Sequence, residues 1–348
     1  MIKVKLSFPH LDYPIIKLTP ASQGIWDKYQ FYINQDITDC DYWVVFNHLT
    51  KSVESVACPR ANTIFITGEP SAIWHYDRAY LAQFASVITC QRGLEHPHIK
   101  YYLQGQPWFL GFVSGDREAS LACSYDDLSQ RAVLAKTKKI SLITSSKIST
   151  KGHKDRYSFA LALKAHFGSA LDLYGRGIKD FTDKSLALND YQYSIAIENS
   201  AENDYITEKL YDCFLADCYP IYYGAPNASS YFSSAAYQAI DINDLAGSIK
   251  LIESILADDD HYQKHLSAIL QAKDHCLHDY NLFALIAKHL DSLTMSSPAV
   301  KELITLRQKI FSWEALLYQL RQRINWSINK CSRTVSNLYA KYLKKNLS

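Results

Sequence analysis

Glycine is scarce, with 12 in 348 residues, and none stands in G-x-G-x-x-G or G-x-x-x-x-G-K-[ST] order. Both the dinucleotide fingerprint and the P-loop are thereby excluded, since each needs glycines to bring backbone N–H groups onto phosphate. The eight cysteines show no C-x-x-C spacing and sit mostly in apolar stretches such as "SVITC" and "LYDCFLADC". Buried, reduced thiols are expected, not disulfides or a zinc site. No H-E-x-x-H occurs either. The chain has no run of about 20 apolar residues, and "MIKVKLSFPH" enters an alternating pattern without a signal-like apolar region. The expectation is a cytoplasmic protein that does not cross a membrane. Net charge is only +2, which by itself points to no partner.

What is present describes a soluble globular chain, 48% hydrophobic and 21% charged. Its length predicts two domains of about 150 residues each. "KVKLSF", "YWVVFN", "TIFITG" and "SVITC" read as short strands, several apolar throughout, as strands covered on both faces of a parallel sheet tend to be. A mixed stretch around 114–139 interrupts that rhythm and predicts a boundary near 135. It restarts with "KISLITS", a helical pattern through "DRYSFALALKAHF", and strands at "LDLYG", "YSIAIEN", "YPIYYG" and "YQAIDI". Helical patterns fall between them at 206–217 and 244–257. Such alternation indicates βαβ units, hence α/β lobes over 1–135 and 136–298.

Residues 299–348 read as a basic amphipathic helical tail. Ten Lys/Arg against Glu302 and Glu314 give +8 from Lys301 onward, leaving −6 on the first 300 residues. Apolar residues at 303, 306, 310, 313, 317, 320 and 324 form a heptad-like seam. The readings are packing onto the body, self-association, or contact with anionic lipid. Stacking of Trp313, Tyr318 and Trp326 on nucleic acid is the weaker alternative.

Asp39-Cys40-Asp41 has the Asp-x-Asp form that can hold a metal, but it precedes a strand and reads as a solvated turn. The denser signal is "ENSAENDYITEK" at 198–209. It begins where strand "YSIAIEN" ends, at the carboxyl edge where ligands of α/β sheets gather. The helix that follows offers unpaired N–H groups to phosphate, and Lys209 adds a charge. Glu208 suits paired sugar hydroxyls and Tyr205 offers a ring face. The bland alternative is a solvated Glu208–Lys209 pair with Asn199 capping a turn.

"IAIENSAENDYITEKLYDCFLADCYPIYYGAP" resembles the signature of the family-10 glycosyltransferases, the α-1,3/4-fucosyltransferases. Asp204 to Lys209 match in order, with Pro220 and Gly224 where the family has them. "TIFITGEP" is similar to the family's first-lobe strand, which implies Glu69 as general base. "KDRYSFALAL" implies Arg156, at the opening of a helix, facing the donor phosphates. "DLYGRG" resembles the family's strand end at Gly175. "ITSSK" departs from the usual Ser-Asn-Cys turn, leaving Ser145 or Ser146 as the survivor. The resemblance covers 60–70 and 139–245 well and the rest weakly.

It implies a GT-B architecture, two Rossmann-like lobes facing a cleft, and inverting transfer of L-fucose from GDP-fucose to an oligosaccharide or lipid-linked glycan. Glu198, Asn199, Tyr205, Glu208 and Lys209 would hold the donor, with no required cofactor beyond mild stimulation by a divalent cation. The setting it implies is bacterial surface-glycan synthesis, at the inner face of the membrane through the tail, with a homodimer left open. Alternatives are a transferase of the same scaffold using another nucleotide sugar, or an inactive sugar-nucleotide or glycan-binding module. His75, His96, His98 and Trp108 are candidates for an acceptor groove, with core or surface roles equally open.

Overall fold

Runs of Val, Ile, Phe and Tyr in the first hundred residues become strands, as branched and aromatic side chains favour. The computed structural model describes residues 1–114, 119–146, 150–293 and 300–309. Strands β1 (Ile2–Ser7), β2 (Ile25–Trp26), β3 (Tyr29–Ile33) and β4 (Tyr42–Phe46) are followed by β5 (Val53–Cys58), which stands apart from them. Then come β6 (Thr63–Ile66), helix α1 (Arg78–Leu81), β7 (Ser86–Thr89) and β8 (Ile99–Tyr101). The first sheet runs β2-β3-β1-β4-β6-β7-β8, parallel except between β2 and β3. All five residues of β4 are buried, as expected of a central strand covered on both faces. The mixed stretch holds a short ribbon, β9 (Phe112–Val113) with β10 (Ser120–Leu121), and α2 (Tyr125–Gln130), opened by a Ser124–Asp127 capping box.

The second half builds β11 (Lys138–Ile143), α3 (Lys151–Phe167), β12 (Leu171–Tyr174), α4 (Ser185–Leu188), β13 (Tyr191–Ile197) and α5 (Glu208–Leu215). β14 (Tyr219–Tyr223), β15 (Gln238–Ala239), α6 (Leu245–Ala257), α7 (His261–His278) and α8 (Leu282–Ser292) complete it. Its parallel sheet has the order β12-β11-β13-β14-β15. The chain leaves β11 on one side for β12 and crosses to the other for β13. The crevice at the carboxyl ends of β11 and β13 is therefore the topological switch point, the place where such sheets bind ligands.

The halves share one hydrophobic core reaching from Val4 and Phe31 to Ile195 and Phe283. Helix α8 crosses back to the first half: Tyr29 donates to Asp291 (2.8 Å), Asn281 donates to the Leu18 carbonyl (2.7 Å), and Phe283 meets Phe31 edge-on.

The tail differs from the expected helix at its start. β16 (Glu302–Arg307) pairs antiparallel along all of β5, burying Ile304 and Leu306 and leaving Leu303 exposed. "ELITLR" satisfies a period of two as well as spacing of three, and β5 offered an unpaired edge with matching alternation. Lys301, just before β16, lies 2.7 Å from Asp39 and 2.8 Å from Asp41, so the Asp-x-Asp pair docks a lysine. The remaining seam, 310–324 with Trp313, and Tyr318 and Trp326 beside and beyond it, lies outside the described residues.

Candidate active site

A cavity of about 530 Å³ opens at the switch point. Its lining includes Thr144, Ser145 and Ser146 after β11, Arg156 from α3, and Gly175 and Arg176 after β12. Lys184, Ser194 to Ile197 of β13, and Glu208, Lys209 and Asp212 of α5 close the other side. Gly175 has φ +138°, and a Cβ there would fall 1.4 Å from the Thr144 carbonyl oxygen. Only glycine lets that strand end pass so close to the loop after β11.

Thr207 caps α5, its hydroxyl accepting from the Lys209 N–H. The buried Glu198 carboxylate accepts from the Thr207 N–H (2.9 Å) and hydroxyl (2.8 Å), and lies 3.1 Å from Lys209 Nζ. Lys209 Nζ also lies 3.2 Å from Glu208 and donates to the Thr207 hydroxyl at 3.0 Å. Burial alone would weaken the Lys209 ammonium, but Glu198 and Glu208 outweigh it and raise its pKa. Burial likewise opposes ionisation of Glu208, yet Lys209 and Lys184 hold its carboxyl well below the usual range. Arg156 is 6% exposed and donates to the Ser145 hydroxyl (3.2 Å), with its Nε lacking a hydrogen-bond partner. It lies in the second turn of α3, after the Thr150 cap, and not at the helix opening that the sequence suggested.

Of the residues singled out from sequence, Ser145, Ser146, Arg156, Gly175, Glu208 and Lys209 meet on this cavity. Glu198 is not part of the lining and reaches it through its contacts with Thr207 and Lys209. Tyr205 is buried at 3% exposure, so its ring face is covered, contrary to the sequence reading; it does not line the cavity. The Asn199 side-chain oxygen is buried without a partner. Glu69 lies in the loop after β6 and outside the lining. Its backbone is clamped: Tyr76 Oη accepts from the N–H groups of Gly68 (3.0 Å) and Glu69 (3.2 Å), and Gln91 donates to the Glu69 carbonyl (2.8 Å). That loop meets the one after β13, where Ser71 donates to Glu202 at 2.8 Å. The Tyr205 hydroxyl accordingly has its pKa raised by burial first, then by Glu198, Glu69 and Glu208 together.

Asp204, at φ +65°, accepts from Asn227 (2.7 Å), Tyr231 and Arg92, the last reaching over from the first half. Trp108 is core, its indole N–H donating to the Cys123 carbonyl, which takes it out of any surface groove, and the half-buried His96 bonds the Phe84 carbonyl (3.0 Å). Lys184, Asp212 and Arg176 were not anticipated. Asp212, one charged residue inside "LYDCFL", was the available signal for a buried ion pair.

Residues 133–275 match the family profile "Glycosyltransferase family 10 (fucosyltransferase) C-term", a span that holds the whole cavity lining. A putative fucosyltransferase-like protein of Arabidopsis thaliana is 38% identical over 64 residues, which is 18% of this chain and 12% of that protein's length. A solved α1,3-fucosyltransferase with GDP shares 15% identity, covering 81% of this chain and 92% of its own, at TM-score 0.46. An α-glucosyltransferase in complex with UDP and a 13-mer DNA shares 8%, covering 83% and 98%, at TM-score 0.48. The matched span begins just before β11 and ends within α7, so the Glu69 loop lies outside it. Among the described residues no helix is long and apolar enough to cross a membrane, and no three His, Cys, Asp or Glu are grouped to hold a metal ion.

Proposed function

We propose that the chain transfers L-fucose from GDP-fucose to a hydroxyl of an oligosaccharide, with inversion at the anomeric carbon. The observation that carries this reading is the meeting of Ser145, Arg156, Gly175, Glu208 and Lys209 on one switch-point cavity inside the span that matches the family-10 profile. The diphosphate would face Arg156 and Lys209, and Glu208 would accept from the ribose hydroxyls. Asn199, whose side-chain oxygen lacks a partner, would shape the pocket beside the sugar.

Glu69 would take the proton from the acceptor hydroxyl as its oxygen bonds to the anomeric carbon. The bond from that carbon to the phosphate oxygen breaks, and its electron pair leaves with GDP. Arg156 and Lys209 stabilise the charge that develops there, as fixed donors do for other departing anions. Two such cations can neutralise the diphosphate, so metal independence belongs to the proposal, as do a surface-glycan acceptor and peripheral membrane contact.

The test is incubation with labelled GDP-fucose on a glycan array, wild type against Glu69→Gln, with GDP and UDP compared as thermal stabilisers. Product with the wild type alone, and protection by GDP alone, is the expected result. Equal product from both proteins removes Glu69 as base, and protection by UDP in place of GDP removes the donor.

A further inference from the structure

The cavity holds one charged pair that this mechanism leaves unused. Lys184 Nζ lies 2.7 Å from Asp212 and 3.6 Å from Glu208, with its side chain 19% exposed. Both Lys184 and Asp212 line the cavity. Asp212 is 1% exposed and does not depend on the lysine alone, because its Oδ1 accepts from the N–H groups of Phe109 (2.8 Å) and Leu110 (3.0 Å). Lysine could therefore turn away and leave the carboxylate still hydrogen-bonded. Lys209 has no such freedom, being held by Glu198, Glu208 and Thr207 at once.

Charge bookkeeping points the same way. Arg156, Arg176, Lys184 and Lys209 face the cavity, and Glu198, Glu208 and Asp212 answer three of those four charges. A nucleoside diphosphate brings several negative charges into this space. Buried carboxylates would repel it unless a cation could re-aim, and Lys184 can turn while Asp212 keeps its two backbone N–H donors and Glu208 keeps Lys209.

We propose that Lys184 is a further donor-binding residue, an ammonium stored on Asp212 that turns to the diphosphate when the nucleotide enters. This rests on the GDP-sugar reading of the same cavity. The phosphate class is what the chemistry selects: a compact ammonium on a flexible stem serves as a movable point charge. Asp212 sets how freely it moves.

The test is GDP titration by calorimetry on the full chain, using Lys184→Met, Asp212→Asn and the double variant, each with its melting temperature recorded. Lys184→Met is expected to weaken GDP about ten- to hundred-fold, the contribution of one charge-assisted hydrogen bond. Asp212→Asn keeps an oxygen for the Phe109 and Leu110 N–H groups and frees the lysine, so GDP binds at least as tightly as to wild type. The double variant binds GDP about ten- to hundred-fold more weakly than Asp212→Asn, because the lysine's contact is lost whether or not residue 212 is charged. A lysine that only neutralises Asp212 predicts equal binding by those two variants.

Wild-type affinity in Lys184→Met overturns the proposal, as does equal GDP affinity in the double variant and Asp212→Asn. Should Lys184→Met fail to fold, weaker GDP binding by Asp212→Asn overturns it and binding at least as tight as wild type supports it. Absence of GDP uptake by the wild type is a separate outcome, which removes the GDP-sugar reading itself.

Discussion

Arg156 enters the cavity with one hydrogen bond, to Ser145, and an unpartnered Nε. Burial lowers its pKa, with Glu198 and Glu208 pulling the other way, and guanidinium stays charged throughout the working range. Arg156→Met is accordingly expected to lower kcat/KM on GDP-fucose by about 10²–10³, the loss seen when one fixed donor to a developing anion is removed. Initial rates with labelled donor measure it. His289 supplies a different prediction. It is 6% exposed, and neither ring nitrogen has a hydrogen-bond partner. Burial, with Lys100 nearby, pulls its pKa from 6.5 to about 4. The folded state thus holds a neutral ring while the unfolded chain takes up a proton. Stability is full above pH 6.5, falls as pH drops through that window, and has lost up to about 3 kcal/mol near pH 4. Melting temperature against pH, flattened in His289→Leu, checks the sign.

Among the elements, the second sheet was the most legible in the sequence. Apolar runs at "KISLITS", "YSIAIEN" and "YPIYYG" became β11, β13 and β14, and the polar cluster after β13 reached the cavity through Glu208 and Lys209. β16 was not legible, because Leu303 and Leu306 fit a helical seam while Ile304 and Leu306 fit a strand, and only the open edge of β5 decides between them. Nor could local pattern show that Tyr205 is buried, at 3% exposure. The strand pairing yields its own test. Leu306 is 1% exposed against Tyr80, Phe84 and their neighbours in a small second core. Leu306→Ala is expected to remove about 2–5 kcal/mol, read from denaturant melts, with GDP affinity unchanged because the cavity is built by the other sheet.

For the whole molecule, the expected pair of parallel-sheet lobes is present, but the boundaries between them are less separate than a two-domain reading implies. Helix α8 and β16 both return to the first half, so the chain crosses between halves more than once. Truncation before residue 300 would therefore strip Ile304 and Leu306 from the core as well as the basic tail. Ending the chain after Lys309 is the cleaner cut. It is expected to leave turnover on a soluble acceptor near wild type while abolishing sedimentation with anionic liposomes. Unchanged liposome binding removes membrane contact as the role of the last 39 residues, numbered 310–348.

Asp204 belongs to the same run of letters as Glu208 and Lys209, yet its carboxylate clasps Arg92 of the opposite half together with Asn227 and Tyr231. A screen of this stretch that scores product alone would merge two unlike injuries, an emptied pocket and a slackened clasp. Nucleotide uptake measured beside product would tell them apart: damage at 208 or 209 is expected to lower both, whereas damage at 204 is expected to lower product while nucleotide uptake persists.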